Sequence, residues 1–197
     1  MFFHFPGKVA AQGNLSADKV LEKAAAVISD SKGISVQFSM SGNNLKGNGT
    51  IKGVGGKFYI SLPEAQIWYN GKDLYTYNAR TSETMLIKPT KEELQESNPL
   101  LYVNSYKGKY SSSYAPNKQS GKYIINLQPT VNNDHIKKLT ITINSSSFRI
   151  EKIEATMGNG GNLKFDVTSF KNNLNIPASD FEYPKNKFPN VEIIDMR

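Results

Sequence analysis

Residues 34–62 read ISVQFSMSGNNLKGNGTIKGVGGKFYISL, and this stretch decides the fold. Ile34, Val36, Phe38 and Met40 alternate with Ser35, Gln37, Ser39 and Ser41, so an extended chain here carries apolar groups on one side and polar groups on the other. Gly42-Asn43-Asn44 supplies turn chemistry. Residues 47–52 form a second run, which ends at Gly53-Val54-Gly55-Gly56, and Lys57-Phe58-Tyr59-Ile60 restarts the alternation at once. Strands this close in sequence, with no helix between them, pair antiparallel.

Working outward toward the C-terminus, short β-type runs recur at 57–62, 66–69, 73–78, 84–88, 106–114, 123–128, 135–144, 148–157 and 163–171. The separators are Asn70-Gly71, residues 117–121, residues 144–147 and Gly158-Asn159-Gly160-Gly161. The expectation is a mainly β, α+β chain of about eleven strands arranged as an antiparallel meander. The meander is interrupted once. Pro89-Thr90-Lys91-Glu92-Glu93-Leu94 starts a short helix, and Asn98-Pro99-Leu100-Leu101-Tyr102-Val103 starts a second, apolar one. After Lys171 the pattern breaks at Ile176-Pro177-Ala178-Ser179-Asp180-Phe181 and continues as a proline-punctuated tail ending Val191-Glu192-Ile193-Ile194-Asp195.

Toward the N-terminus the period changes to three and four. Ala17, Val20, Leu21, Ala24, Val27 and Ile28 share a helix face, with Asp18, Lys19, Glu22 and Lys23 opposite. Ser16 is the N-cap, Asp18 suits the positive end of the dipole, and Gly33 is expected to supply a left-handed stop after Lys32. Residues 1–15 are read as a leader remnant or disordered segment. Val9-Ala10-Ala11-Gln12 resembles a cleavage site, but Phe2, Phe3 and Phe5 are broken by His4 and Pro6 and do not make an apolar core for a signal peptide. No linker or repeat divides the rest, so 16–197 is expected to be one domain.

The chain has 197 residues and no cysteine, which removes disulfides, thiolate metal sites and thiol nucleophiles. No apolar run approaches the roughly 18 residues of a transmembrane helix. The formal charge of +7 makes an anionic membrane surface a candidate contact. It argues against specific nucleic-acid reading, because only Arg80, Arg149 and Arg197 among the 24 basic residues carry the forked donor that grips guanine or phosphate.

Catalytic chemistry finds no constellation. His4 lies in the excluded leader and His135 flanks a turn after Asn132-Asn133-Asp134, so neither has a partner for base work. Glu92 and Glu93 are neighbours on a helix and point apart. Nothing spaces His or carboxylates as a metal set, and no cofactor or metal is expected. Gly53–Gly56 leads into a strand rather than a helix, which excludes a phosphate loop. Large apolar groups are abundant: Phe38, Phe58, Trp68, Tyr75, Tyr77, Phe148, Phe165 and Phe170, with Met40, Met85 and Met157. They fit either a filled core or a ligand cavity lined by one face of a curved sheet.

The order of elements adds a resemblance. An amphipathic helix, a strand through Phe38, GNGTIKGVGGKFYI at 47–60, WYNGKDLYTYNARTSETMLIKP at 68–89, NPLLYV at 98–103 and FEYPKNKFPNVEIID at 181–195 together resemble the LolA family of periplasmic lipoprotein carriers. The strongest part is Asn70-Gly71-Lys72-Asp73-Leu74-Tyr75-Thr76-Tyr77-Asn78, similar to the family hairpin, followed by the helix start at Asn98-Pro99. The family resemblance implies a strongly curved, unclosed antiparallel β-barrel whose concave face is covered by an N-terminal helix and short inserted helices acting as a lid. It further implies a non-enzymatic, monomeric periplasmic protein that takes acylated lipoproteins from an inner-membrane ABC transporter toward the outer membrane and any acceptor there. On that basis the lipid-binding cavity is expected to draw on Leu21, Ala24 and Ile28 of the first helix. From the strands it draws on Val36, Phe38, Met40, Phe58, Ile60 and Phe165, and from the inserted helix on Leu100 and Leu101. One departure stands out: Gly53-Val54 occupies the position where family members carry an Arg-Pro whose arginine latches the lid. Competing readings are a binder of a fatty acid or glycolipid, and a carbohydrate- or surface-binding β-module using Trp68, Tyr69 and Tyr75 as stacking platforms.

Overall fold

The computed structural model describes residues 15–42, 45–131 and 135–197; His4, the turn residues Asn43-Asn44 and the Asn132-Asn133-Asp134 turn lie outside them. The chain opens with helix α1 (Ala17–Ser29), capped as expected by the Ser16 side chain, which accepts from the Lys19 amide at 3.3 Å. Gly33 is not its stop: the helix ends at Asp30 in an ordinary right-handed conformation. The glycine serves a close approach instead. A Cβ there would lie 2.5 Å from the carbonyl oxygen of Leu174, whose own amide donates to the Gly33 carbonyl at 3.0 Å.

Six strands follow: β1 (Ile34–Gly42), β2 (Leu45–Val54), β3 (Lys57–Ser61), β4 (Ala65–Tyr69), β5 (Leu74–Asn78) and β6 (Glu83–Ile87). The inserted helices come next, α2 (Lys91–Ser97), a 3₁₀ turn at Pro99–Leu101 and α3 (Tyr102–Ser105). Then come β7 (Tyr110–Tyr114), β8 (Lys122–Pro129), β9 (Ile136–Asn144), β10 (Ile150–Met157), β11 (Asn162–Lys171) and a short β12 (Glu192–Asp195). A strand was expected over 106–114, but it begins only at Tyr110. Tyr102, Val103 and Tyr106 fall at helical spacing and are buried on the core, and Gly108, at φ 79°, turns the chain into the strand.

The twelve strands form one sheet in the order β12-β6-β5-β4-β3-β2-β1-β11-β10-β9-β8-β7. β1 joins the two meanders, pairing β2 on one side and β11 on the other. Every pair is antiparallel except the last. β12 returns parallel to β6, with Ile194 opposite Met85, so the tail adds a strand that the sequence pattern did not announce.

Flat, twelve strands at about 4.8 Å spacing would span roughly 50 Å. A single buried cluster nevertheless draws residues from β1–β5 and β7–β10 together, including Val36, Ile51, Phe58, Ile67, Leu74, Ile125, Ile141 and Ile153. The sheet must therefore curl around this cluster. It remains unclosed, with β12 and β7 as its edges among the described residues. α1 and the inserted helices cover the concave side: Val20, Leu21, Ala24, Leu100 and Val103 belong to the same cluster. The fold expectation is met, an unclosed β-structure with helices over its concave face, while the space between them is filled by the cluster itself rather than left open.

Candidate functional site: the concave face and its helical cover

The centre of the concave face is built by strand alternation. Val36 and Phe38 on β1, Ile51 on β2, Ile153 on β10 and Phe165 and Val167 on β11 surround a small cavity, roofed by Pro99 and Leu100 from the 3₁₀ turn. Its volume is about 10 Å³, at the lower limit for holding one water. Its lining is wholly apolar. Phe38 and Phe165 meet at 5.5 Å between ring centroids and wall off one side. The Phe38 ring fits because its cross-strand neighbour is Gly49: a Cβ at that position would lie 2.4 Å from the ring.

Of the eleven residues that sequence reasoning assigned to a cavity, Val36, Phe38, Leu100 and Phe165 meet around this one. Leu21, Ala24, Phe58 and Ile60 are buried in the same cluster without lining it, and Ile28, Met40 and Leu101 pack at its margin, partly exposed. Sequence reasoning missed Ile51, Pro99, Ile153 and Val167. Ile51 and Ile153 enter it as the register partners of Val36 and Phe165, a pairing that alternation within each strand does not specify.

The cover is tied at one seam by polar groups. Asp18 on α1 accepts from the Tyr106 hydroxyl at 2.9 Å and from Ser112 Oγ on β7 at 2.5 Å. These two bonds, that of Ser112 foremost, hold the Asp18 carboxyl below its ordinary range. Burial and the bond to Asp18 push the Tyr106 phenol up. Beside them Lys107 pairs with Glu22 at 2.8 Å, and with Lys19 it holds Glu22 down to about 2. The Tyr114 hydroxyl donates to the Leu15 carbonyl at 2.7 Å. Gly53, where the family arginine would stand, sits in the sheet between Ile34 and Phe58 and contributes nothing to this seam.

Other candidate chemistry resolves into structure. Glu93 completes a capping box with Thr90, and Glu92 pairs with Lys109. His135 stands at the start of β9, its carbonyl accepting from Gly158. Among the described residues no cluster of His, Cys, Asp and Glu could hold a metal, and no helix is long and apolar enough to cross a membrane.

The stacking-platform reading is corrected by the convex face. Trp68 is only 4% exposed, because Tyr183 and Phe188 of the C-terminal segment meet it edge-on at 5.3 and 5.9 Å. Tyr75 stacks on Tyr183 at 5.0 Å, and Tyr69 faces the other way, against Phe58. The Tyr183 hydroxyl closes the cluster on Thr84 at 2.9 Å. These aromatics fasten the C-terminal segment to the sheet, leaving no Trp68 ring face for a sugar.

A curled, unclosed antiparallel sheet with helices lying over an apolar concave face defines the lipoprotein-carrier type of β-fold. The family model described as outer membrane lipoprotein carrier protein LolA matches residues 8–159, and the chain belongs to that family. A comparison with curated proteins found no match. Among solved structures, an uncharacterized conserved protein from Thermus thermophilus is similar, with TM-score 0.62 and 10% identity over 91% of this chain and 98% of that one. A LolA superfamily protein from Nitrosomonas europaea aligns with TM-score 0.45 and 14% identity over 86% and 99%. MucB of Pseudomonas aeruginosa, solved in complex with MucA, aligns with TM-score 0.45 and 10% identity over 85% and 60%. At 10% identity the likeness to the Thermus thermophilus protein concerns the fold alone.

Proposed function

We propose that this protein is a periplasmic carrier that binds the acyl chains of lipoproteins between its concave sheet and its helical cover. It receives them from an inner-membrane ABC transporter and moves them toward the outer membrane, as a monomer and without catalysis. The observation that carries this reading is the convergence of Val36 and Phe38, Leu100 and Phe165 from three separate parts of the chain on one wholly apolar site roofed by a short 3₁₀ turn. The site is nearly filled by the protein's own side chains, so cargo binding is an exchange. Leu100 leaves the concave face and hydrocarbon takes its place. Withdrawing one buried leucine costs about 1.5–3 kcal/mol, whereas each enclosed methylene returns about 0.8 kcal/mol. The place Leu100 vacates takes about four carbons, which return roughly 3 kcal/mol and so balance its withdrawal, and enclosing more of the chain requires the neighbouring part of the cover to lift with it. The lysine-rich surface, part of the +7 balance, supports transient contact with anionic headgroups during loading.

The test is to add the purified protein outside spheroplasts that are synthesising acylated lipoproteins. The carrier reading expects lipoprotein to appear in the soluble fraction as a complex with this chain. Retention of all lipoprotein in the membrane, together with recovery of a fatty acid or glycolipid from the protein by mass spectrometry, would replace it with the reading of a binder of that lipid.

A further inference from the structure

A second apolar surface continues the concave face of β1 outward. Past Val36 and Phe38 the next residue on that side is Met40, which lines an open groove of about 470 Å³ with Leu45 and Leu62. Strand register puts the three on the same side: Met40 pairs with Gly47, two residues from Leu45, and Leu62 follows Ile60 at a spacing of two. Leu45 is 47% exposed, and with the partly exposed Met40 and Leu62 beside it forms an apolar patch rather than a lone surface leucine. Two cations stand at the rim, Lys46 and Arg80, against a single acid, Glu64, which is already paired with Arg80 at 2.5 Å. The groove and the small cavity are neighbours on the sheet, since Met40 of the groove is the register partner of Phe165, which lines the cavity beside Phe38.

We infer that this groove is the exit subsite of the carrier, where the emerging part of an acyl chain lies on Met40, Leu45 and Leu62 while an acidic peptide segment beside the lipid attachment meets Lys46 and Arg80. The inference rests on the carrier reading and adds to it a preference: cargo with carboxylates next to its acyl chain binds more tightly than cargo with ammonium groups there. The ion pair of Arg80 with Glu64 sets the size of that preference. An incoming carboxylate competes with Glu64 for the guanidinium, so removing Glu64 strengthens acidic cargo and removing Lys46 weakens it. A groove that merely finishes the sheet would show neither effect.

The experiment titrates the full chain with two palmitoylated hexapeptides that differ only in carrying two aspartates or two lysines after the acylated residue, with uncharged palmitamide as the reference. The acidic peptide is expected to bind about fivefold tighter than the basic one at low salt, a gap lost at high salt. Glu64→Gln should widen the gap and Lys46→Gln should narrow it, with palmitamide affinity unchanged in both. Equal affinity for the two peptides, or Glu64→Gln weakening the acidic one, overturns the exit subsite and leaves the carrier reading standing. Failure of palmitamide and both peptides to bind at all overturns the carrier reading itself.

Discussion

Truncating Leu100 to alanine separates a displaceable roof from an ordinary core residue. Leu100 is 3% exposed and fills the concave site against Val36, Ile51, Ile153 and Phe165. In a permanent core position the change would cost about 2–5 kcal/mol of stability and bring nothing in return. In an exchange mechanism the same lost contacts no longer have to be given up when hydrocarbon enters. Three carbons at about 0.8 kcal/mol each make roughly 2 kcal/mol, so affinity for an acyl probe should rise about 30-fold while thermal stability falls. Titration with a fluorescent fatty-acyl probe and thermal denaturation on the same samples measure both. Leu139→Ala is the control. It is equally buried, at 1%, but lies on β9 away from the roof, and should lose stability without gaining affinity. An unchanged or weaker affinity in Leu100→Ala refutes the exchange argument, whatever happens to its melting temperature.

Three further outcomes follow from the geometry. The Asp18 carboxyl is held below its ordinary value of 3.8 and Glu22 is held down to about 2 from 4.5, so both contribute to the closed seam at neutral pH and lose that contribution as pH falls through their lowered values. Thermal stability should therefore fall between about pH 4 and pH 2 in the intact chain, and Asp18→Ala should show a loss already at pH 7 with its rate of acyl-probe uptake, measured by stopped flow, unchanged. Gly49→Ala pushes a Cβ to within 2.4 Å of the Phe38 ring and should lower stability by about 1–3 kcal/mol, with a matching drop in probe affinity as the ring is driven into the site. Tyr183→Ala uncovers Trp68, and a red-shifted emission maximum with stronger acrylamide quenching is expected, whereas soluble glycans should leave the wild-type emission unchanged.

The parts of this fold that depend on local pattern could be read from residue order. Ile34, Val36, Phe38 and Met40 could serve one face only, and the structure puts them there because a strand's period is two. The capped helix from Ser16 and the apolar Asn98–Val103 insertion were equally open to reading. What escaped notice is what depends on distant partners. β12 is four residues long and follows a proline-rich segment, and it exists because β6 offers it a parallel edge. Trp68 and Tyr75 looked like platforms because nothing near them in sequence shows that Tyr183, more than a hundred residues later, closes over them. The stretch from Tyr102 to Tyr106 was ambiguous in itself, since short apolar runs suit either period until a neighbour such as Asp18 takes the Tyr106 hydroxyl. The candidate cavity was half legible for the same reason: alternation assigns a face, but only register decides which members of that face meet.

The two kinds of contact that hold the cover also determine where it opens. The bonds of α1 to Tyr106 and Ser112, the bond of Tyr114 to Leu15 just before it, and the Lys107–Glu22 pair join the first helix to the stretch 106–114, which leads into edge strand β7. Parting them would strand an aspartate and a phenol from partners that an acyl chain cannot replace. The Pro99 and Leu100 side chains meet the cavity floor of Val36, Phe38, Ile51, Ile153, Phe165 and Val167 through hydrocarbon. A methylene of cargo substitutes for a methylene of Leu100 with no polar group left behind, so this is the contact whose breaking the ligand itself can compensate. The cover should thus yield first at the 3₁₀ turn, with α1 held to the β7 edge, and a disulfide engineered between α1 and β7 should leave acyl-probe binding intact while one pinning residue 100 to β1 abolishes it.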